Sequence, residues 1–215
     1  MVNDGMEDIV IIGFGGHAKS IADSIISDGK YNIAGYTDVE DRSCKYPYLG
    51  TDDALQDCFK RGIHNVVLGI GFLGESSIRD NVINKAKKVG FEFPVIIDPS
   101  ATVALDVTVG EGTFIGKNVV INAGSKVGKY CIINTGSIIE HECDVDDYSH
   151  ISVGTILCGE VSVGHHTMIG AGTTVIQCKM IGSNTTIGAG AVVNQDLPDN
   201  CTAVGIPAKV IKMNV

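Results

Sequence analysis

The chain has 215 residues, of which 44% are hydrophobic and only 6% aromatic, and it carries a formal net charge of −9. This composition favours a core built from Val and Ile rather than from large rings. The negative charge and the lack of a Lys/Arg run argue against a nucleic-acid or anionic-membrane surface, and no apolar run reaches the roughly 18 residues of a membrane span.

Seven cysteines occur singly, without a CxxC pair. Isolated cysteines in this number are typical of reduced thiols in a reducing compartment. The N-terminal residues lack the basic region of a secretion signal. We therefore expect a soluble, cytoplasmic protein with no bound metal, no nucleic-acid partner and no membrane insertion.

The first motif is a glycine turn between a strand and a helix. Residues 8–13 form a predicted buried strand, residues 13–18 read Gly-Phe-Gly-Gly-His-Ala, and a helix is predicted from Lys19 to Ser27. Backbone N–H groups at such a helix N-terminus can bind a phosphate. A second strand, 32–37, ends at Asp38, an acidic residue about 20 positions further on, where dinucleotide-binding folds contact a ribose.

The following segments alternate between helix and strand patterns. Helices are predicted from about residues 52–61 and 76–89, and strands from about residues 64–71 and 92–97. With the first two strands they make a Rossmann-like βαβαβαβ arrangement, a small parallel sheet covered by helices. We assign residues 1–98 to this α/β domain.

The size of this domain bears on its ligand. It is half of a dinucleotide-binding fold rather than the whole of one. A mononucleotide or a nucleotide sugar is therefore favoured over NAD, and a glycine turn that serves only packing remains an alternative.

From Ile97 to Val193 an aliphatic residue occupies every sixth position without exception. A helix has period 3.6 and a strand period 2, so this spacing indicates a hexapeptide repeat. Three hexads would close a triangular coil of 18 residues, and about five coils would stack in a second domain, residues 99–215. The aliphatics are Ile97, Val103, Val109, Ile115, Ile121, Val127, Ile133, Ile139, Val145, Ile151, Leu157, Val163, Ile169, Val175, Ile181, Ile187 and Val193.

The residue after the aliphatic is often Gly, as at Gly110, Gly128 and Gly164. The residue two positions before the aliphatic is mostly small or β-branched. We predict that each such Gly marks a corner whose backbone conformation favours Gly. Residues 194–200 break the pattern, and Gly205-Ile206-Pro207-Ala208-Lys209 follows. Hexads followed by this GxPAK tail resemble the hexapeptide acyltransferases, which implies a left-handed parallel β-helix.

Within residues 134–158 the position after the aliphatic is never Gly, although the aliphatics continue. Local departures from a consistent pattern are where function is expected. This window contains Glu140-His141-Glu142 and Ser149-His150. Acyl transfer needs a base for the proton that the nucleophile loses, and a histidine beside a carboxylate suits that task. We interpret His141 as the base and Glu142 as its partner.

Five segments together resemble the sialic acid O-acetyltransferase type (NeuD/PglD-like) family. That family includes N-acetyltransferases acting on nucleotide-linked 4-amino-4,6-dideoxy sugars. The resemblance covers about residues 8 to 212. The segments are Gly13-Phe14-Gly15-Gly16-His17-Ala18-Lys19, Ile133-Asn134-Thr135-Gly136, Ile139-Glu140-His141-Glu142-Cys143, Ser149-His150-Ile151-Ser152 and the GxPAK tail.

The resemblance implies a role for each matching position. His141 and Glu142 match the general base and its carboxylate, and His150 and the backbone amide of Gly159 match contacts to the acetyl thioester. The positions predicted to bind acetyl-CoA are His150, Gly159, Gly170, Ala171, Ala189 and Lys209. The positions predicted to bind the nucleotide sugar are Gly13, Gly15, Gly16, His17, Asp38 and Asn134.

We therefore predict an acetyl-CoA-dependent N-acetyltransferase that acts on a nucleotide-linked 4-amino-4,6-dideoxy sugar in bacterial surface glycan biosynthesis. Direct transfer is favoured over an acetyl-cysteine intermediate, because Cys143 and Cys158 occupy hexad packing positions. The resemblance also implies a homotrimer with active sites between subunits. O-acetylation of sialic acid or a related sugar is the alternative enzyme activity. A non-catalytic β-helix scaffold or nucleotide-sugar sensor is the alternative of another class.

Overall fold

The computed structural model describes residues 5–72, 74 and 77–214. The predicted start of one helix at Ser76 lies outside these residues. By its internal contacts the chain divides into a first unit that ends at Pro99 and a second unit that begins at Ser100. Phe72 and Gly74, from a loop of the N-terminal half, belong to the second unit.

A four-stranded parallel sheet forms the centre of the first unit. Its strands are β1 (Glu7–Ile12), β2 (Tyr31–Thr37), β3 (Tyr48–Gly50) and β4 (Asn65–Leu68), in the order β3-β2-β1-β4. Its helices are α1 (Gly16–Asp28), α2 (Leu55–Lys60), preceded by a 3₁₀ turn over Asp52–Ala54, and α3 (Ser77–Val89). None of the helices in the described ranges is both long and apolar enough to cross a bilayer.

Local sequence explains the borders of the first elements. Residues 9–12 of β1 are four consecutive aliphatics and are fully buried. Helix α1 begins at Gly16, before the predicted start at Lys19, so the end of the glycine turn is its first turn. It ends at Gly29, which adopts φ +70° and donates its N–H to the Ile25 carbonyl.

Two other predictions for this unit were partly wrong. The strand predicted over residues 92–97 is reduced to a bridge between Glu92 and Asn65 and a short β5 (Ile96–Ile97), because Pro94 has no N–H to give to a ladder. Strand β3 was not predicted. It is an edge strand of three residues directly after Pro47, too short to show a period of its own.

The second unit is a three-sided parallel β-helix of two-residue strands. These are β6 (Thr102–Val103), β7 (Thr108–Val109), β8 (Phe114–Ile115), β9 (Val120–Ile121), β10 (Lys126–Val127), β11 (Ile132–Ile133), β12 (Ile138–Ile139), β13 (Asp144–Val145), β14 (His150–Ile151), β15 (Ile156–Leu157), β16 (Ser162–Val163), β17 (Met168–Ile169), β18 (Thr174–Val175), β19 (Met180–Ile181), β20 (Thr186–Ile187) and β21 (Val192–Val193). Each strand pairs with the strand 18 residues further on, as Ile138 does with Ile156. The predicted 18-residue coil is confirmed, with five full coils and β21 beginning a sixth.

Each coil of the β-helix has three sides and three corners. Side 1 contains β6, β9, β12, β15, β18 and β21; side 2 contains β7, β10, β13, β16 and β19; side 3 contains β8, β11, β14, β17 and β20. Corner 1–2 comprises residues 104–107, 122–125, 140–143, 158–161 and 176–179. Corner 2–3 comprises residues 110–113, 128–131, 146–149, 164–167 and 182–185. Corner 3–1 comprises residues 116–119, 134–137, 152–155, 170–173 and 188–191.

A hairpin closes the last coil. Strand β22 (Cys201–Val204) extends side 3, and β23 (Lys209–Met213) pairs with it in the antiparallel sense. The GxPAK tail forms the turn between them, where Ala208 is buried and donates its N–H to the Val192 carbonyl at 2.8 Å. This pairing covers the open edge that the final coil would otherwise leave.

The aliphatic column forms the core of the β-helix. The fourteen aliphatics from Ile115 to Val193 are at most 3% exposed, whereas Ile97, Val103 and Val109 are half-buried. Beside the column, small polar residues link the coils. The Thr113 hydroxyl donates to the Gly128 carbonyl at 2.7 Å and accepts from the Cys131 N–H at 3.0 Å, and other Ser and Thr residues repeat this pattern.

The predicted reason for Gly at the corners, a backbone conformation that favours Gly, was wrong. The left-handed residue of each corner lies two positions later, at residues 112, 118, 124 and every sixth residue through 190, and is often not Gly. The Gly after the aliphatic has no positive φ. A Cβ on Gly128 would lie 2.6 Å from the Asp147 nitrogen in the next coil. Close approach of the neighbouring coil, and not backbone conformation, therefore favours Gly there.

This distinction predicts different effects for two glycine substitutions. Gly128→Ala should lower the free energy of unfolding by about 1–3 kcal/mol, because the methyl group overpacks against the next coil. Gly154→Asn is the control, since Gly154 has φ +65° and open space around its Cβ position, and Asn118 and Asn184 occupy equivalent positions. It should cost well under 1 kcal/mol in a urea unfolding titration. Equal losses would contradict the steric explanation.

Candidate functional site

The predicted base and its partner lie together at corner 1–2. His141 and Glu142 are exposed residues of the turn between β12 and β13, and Nδ1 of His141 is 3.3 Å from Oε2 of Glu142. The Glu142 side chain turns back over the preceding coil, where a Cβ on Gly124 would lie 3.2 Å from its Cγ. The carboxylate thus accepts from Nδ1–H, which leaves the Nε2 lone pair to accept a proton.

The imidazole of His141 lies directly against Gly159 of the next coil. A Cβ on Gly159 would lie 2.5 Å from both Cε1 and Nε2 of the ring, so only Gly leaves room for the ring in this orientation. Gly159 is buried, and among the residues that the structure describes no acceptor pairs with its N–H. A free, buried N–H beside a base is the arrangement that can stabilise a developing oxyanion.

His150 lies elsewhere, on side 3, and is 7% exposed. The Asn134 amide is oriented by Oδ1, which accepts from the Thr135 N–H, so its Nδ2 donates to Nε2 of His150 at 3.2 Å. Nδ1–H of His150 therefore donates to the Phe72 carbonyl at 2.7 Å. Both ring nitrogens are engaged, and His150 holds Phe72 against the β-helix.

The other predicted acetyl-CoA positions occupy corner 3–1, apart from Lys209 at the start of β23. Ala171 and Ala189 are exposed and take equivalent places in successive coils, and Gly170 is packed so closely that a Cβ would lie 2.6 Å from the Ala189 nitrogen. Four of the five left-handed positions of this corner are also bare, and the fifth is Asn118. The bare ones are Gly136, Gly154, Gly172 and Gly190, and nothing lies within 4 Å of a Cβ on any of them.

Within the β-helix, the structure thus brings most of the predicted site residues together in two groups rather than one. His141, Glu142 and Gly159 share corner 1–2. Asn134, Gly170, Ala171 and Ala189 share corner 3–1, next to His150 on side 3. In a triangular coil these two corners are the opposite edges of side 1. One β-helix therefore does not place its own base beside its own corner 3–1.

Cys143, close to His141 in the sequence, is structural. The Cys143 thiol is buried and donates to the Cys158 carbonyl at 3.2 Å, in the place that Ser and Thr hydroxyls take in other coils. Burial raises the pKa of Cys143 to about 11, so its thiol is neutral near pH 7. A neutral, hydrogen-bonded thiol does not favour an acetyl-cysteine intermediate.

The glycine turn of the first unit combines two kinds of glycine. Gly13 has φ +80°, and a Cβ there would lie 2.5 Å from the Ile70 side chain, so backbone and packing explain it. Gly15 and Gly16 have no atom within 4 Å of a Cβ position. Helix α1 also has no side-chain N-cap and no acidic residue in its first turn. Its N-terminus is therefore open and suited to an anion, which packing alone does not explain.

Asp38 reaches this turn as predicted. Its Oδ2 accepts from the Phe14 N–H at 2.8 Å, and its carboxylate also pairs with the Arg42 guanidinium at 3.0 and 3.1 Å. Burial acts to raise the pKa of Asp38, but the hydrogen bonds from Arg42 and Phe14 outweigh it and hold the pKa below its usual value. His17, in the first turn of α1, lies near Gly71. A Cβ built on Gly71 would be 3.9 Å from the Cβ of His17.

The sequence interpretation missed the loop between β2 and β3. Beside Phe14, this loop lines a pocket of about 240 Å³ with Lys45 and Tyr46, and Lys19 and Asp23 of α1 also line it. Two lysines near an open helix N-terminus, with aromatic rings beside them, suit a phosphate attached to a base. The cluster of Arg42, Lys45 and Tyr46 directly after Asp38 was the available signal.

Comparison with protein-family models gives three matches. Residues 8–86 match the PglD N-terminal domain, residues 106–141 match the bacterial transferase hexapeptide, and residues 160–195 match the hexapeptide repeat of succinyl-transferase. The matches fall within both units, and with the solved structures described next they confirm a small α/β domain followed by a left-handed parallel β-helix.

Solved structures resemble the chain over almost its whole length. One is a histidine-to-asparagine variant of perosamine N-acetyltransferase from Caulobacter crescentus with CoA and GDP-perosamine, with 36% identity, a TM-score of 0.90, and coverage of 95% of this chain and 97% of that one. Another is the acetyltransferase domain of PglB from Neisseria gonorrhoeae with acetyl coenzyme A, with 32% identity, a TM-score of 0.89, and coverage of 96% and 100%.

A curated relative matches over a shorter stretch. The UDP-N-acetylbacillosamine N-acetyltransferase of Bacillus subtilis is 34% identical over 113 residues, which are 51% of this chain. The match spans about half of that relative's own length, also 51%.

The contacts of His150 predict a stability effect. His150→Ala should lower the free energy of unfolding by about 1–3 kcal/mol, because the buried Phe72 carbonyl loses its donor. The control is His165→Ala, since His165 is an exposed residue of corner 2–3, and it should change stability by less than about 0.5 kcal/mol. Both are measured by denaturant unfolding. A His150→Ala variant as stable as the control would show that the contact to Phe72 contributes nothing.

Proposed function

The chain belongs to the PglD-like family of hexapeptide-repeat acyltransferases, and we propose that it is an acetyl-CoA-dependent N-acetyltransferase acting on a nucleotide-linked 4-amino-4,6-dideoxy sugar. One observation carries the proposal. The imidazole of His141 is oriented by Glu142 and lies against Gly159, with its Nε2 beside a buried N–H that has no acceptor in the described part of the chain. The CoA and GDP-perosamine in the relative from Caulobacter crescentus support this choice of substrates.

The chemistry follows from these groups. The sugar amine attacks the thioester carbonyl, a C–N bond forms, and Nε2 of His141 takes the proton that the nitrogen loses. The negative charge that develops on the carbonyl oxygen accepts the Gly159 N–H. The C–S bond then breaks, and the protonated imidazole supplies a proton to the departing CoA thiolate. Glu142 stabilises the imidazolium without taking the proton itself.

In this proposal the acetyl-CoA donor binds along corner 3–1. Its bare glycines and the small Ala171 and Ala189 leave backbone accessible to a thin, amide-bearing chain such as the pantetheine arm of acetyl-CoA. Lys209 supplies a positive charge for a phosphate at the end of the hairpin. The seven cysteines are all free thiols, which fits a reaction in the reducing cytoplasm, as part of bacterial surface glycan synthesis.

The division of the site between two corners supports a trimer with shared active sites. The base and the proposed donor groove lie on opposite edges of side 1 in one chain, so a second chain has to supply one of them. Each site would then use corner 1–2 of one copy and corner 3–1 of its neighbour. The proposal of a trimer rests on this geometry and on the family resemblance.

The base is tested by its removal. His141→Ala should lower kcat by about 10² to 10⁴ with little change in the KM for acetyl-CoA, the range expected for a lost general base. Glu142→Ala should cost less, because it orients the ring and accepts no proton from substrate. His165→Ala is the matched control and should leave kcat unchanged. If His141→Ala keeps a third or more of kcat, the role belongs to another residue.

The role of the first unit is tested at the glycine turn. Gly15→Val should raise the KM for the acceptor by about tenfold or more and leave that for acetyl-CoA unchanged, because a side chain there crowds the phosphate. Ser20→Val is the control, because Ser20 is an exposed residue of α1, the helix that follows the glycine turn.

A free nucleoside diphosphate should compete with the acceptor and not with acetyl-CoA. Equal rates on free and nucleotide-linked amino sugars would favour the O-acetyltransferase alternative.

A further inference from the structure

The carboxylate of Asp38 has hydrogen-bond donors on both of its oxygens. Oδ1 accepts from the Val39 N–H at 2.7 Å and from Nη2 of Arg42 at 3.1 Å. Oδ2 accepts from the Phe14 N–H at 2.8 Å and from Nε of Arg42 at 3.0 Å. A carboxylate offers about four lone-pair sites, so this carboxylate is fully used within the chain. Its side chain is also only 9% exposed.

A ribose hydroxyl would have to displace one of these donors to reach Asp38. Arg42 forms a bidentate, charge-assisted pair with the carboxylate, and such bonds are roughly twice as strong as bonds between neutral groups. Phe14 is buried, so its N–H would lose a partner that water does not replace. A neutral hydroxyl gains less than either loss. The carboxylate that reads the ribose in dinucleotide-binding folds is therefore closed to it in this chain.

A second carboxylate of the loop between β2 and β3 is also engaged within the chain. Oδ1 of Asp41 accepts from the Tyr36 hydroxyl at 2.6 Å and from the Ser43 N–H at 2.8 Å. The same hydroxyl accepts from the Arg42 N–H at 2.8 Å, and the Tyr36 ring is buried. These bonds fix the fold of the loop against β2. The two carboxylates therefore build the loop and leave it positively charged where Lys45 lines the pocket.

Asp38 also holds the glycine turn. The Phe14 N–H donates to its carboxylate, and the preceding N–H, from Gly13, donates to the Thr37 carbonyl at 2.7 Å. Two consecutive N–H groups of the turn are thus tied to the end of β2. The turn then continues through Gly15 into the open N-terminus of α1, where a phosphate can bind. Asp38 therefore orients the groups that meet a phosphate without facing the phosphate itself.

We propose that Asp38 is a positioning residue that does not contact the ribose, and that the nucleotide site takes ribonucleotide and 2′-deoxyribonucleotide sugars alike. The inference deepens the proposed function and rests on it. Through Phe14 the carboxylate sets the glycine turn, and through Arg42 it sets the loop that carries Lys45 and Tyr46. Affinity then comes from the phosphates and the base, which both series of nucleotides share. Strong rejection of an analogue that lacks a hydroxyl requires a group that binds this hydroxyl, and Asp38 is not available for it.

Paired nucleotides test the selectivity in the unmodified protein. GDP and 2′-deoxy-GDP, UDP and 2′-deoxy-UDP, and CDP and 2′-deoxy-CDP are titrated into it by isothermal calorimetry, and the pair that contains the tightest ligand is compared. The two dissociation constants of that pair should differ by less than about fivefold, because both nucleotides offer the same phosphates and base. A larger difference in favour of the ribonucleotide contradicts the proposal.

Asp38→Asn tests the positioning role. The Asn amide group would face N–H donors where an oxygen now accepts, so the turn and the loop lose their common partner. The dissociation constants of both nucleotides of the pair should rise by about tenfold or more, and by the same factor, while that of acetyl-CoA stays within about twofold. Glu40→Gln is the matched control, because Glu40 pairs with the same Arg42 but is 68% exposed. It should change the nucleotide dissociation constants by less than about twofold.

The outcomes separate this inference from the proposed function. If acetyl-CoA binds but none of the nucleotides does at millimolar concentration, the nucleotide-linked acceptor is wrong and the inference falls with it. If Asp38→Asn weakens the ribonucleotide alone, Asp38 reads the ribose, so the inference is wrong and the function stands. Unchanged nucleotide binding in Asp38→Asn, or an equal loss in Glu40→Gln, also overturns the inference. If Asp38→Asn does not fold, the comparison in the unmodified protein decides.

Discussion

The structure depends on the 18-residue register between coils. Each two-residue strand is too short to be stable alone, and it is held by parallel pairing to the strands above and below it and by the aliphatic that rests on its counterparts. The Ser and Thr ladder adds a second link, because one hydroxyl bridges a carbonyl 15 residues on and an N–H 18 residues on. A slip of one residue would turn every aliphatic outward, so core and ladder fix the same register.

This constraint explains where chemistry can be placed. Inward positions are taken by the core, and the position after the aliphatic is crowded by the next coil unless that coil leaves space. The outermost residues of the corners, the corner tips, neither fill the core nor have to be small to fit under the next coil. Successive corner tips align along the β-helix. His141 and Gly159 are such a pair, one carrying the reactive ring and the next leaving room for it. The catalytic geometry thus comes from stacking, since residues 18 apart in sequence become neighbours.

Much of this architecture was accessible from the sequence. The six-residue period fixed the coil, and the loss of Gly after residue 133 pointed to the corner that holds His141. The reason for the corner glycines was not accessible, because close approach between coils is a property of the stack and not of one hexad. The bond from His150 to Phe72 joins residues 78 positions apart, and the Arg42 pairing with Asp38 depends on how an irregular loop folds. Local patterns carry no information on either.

The stacking also gives the β-helix a constant spacing along its axis. Neighbouring strands of a sheet lie about 4.8 Å apart, so each coil advances the corner tips by that step along the axis. An extended molecule that lies along a corner contacts one corner residue per step. The identity of each corner residue therefore determines which part of the molecule can bind beside it. Lengthening or shortening the array by whole coils would preserve every internal contact while moving one end of such a molecule relative to the other. A family built this way can change the size of what it binds by integer steps of its own scaffold.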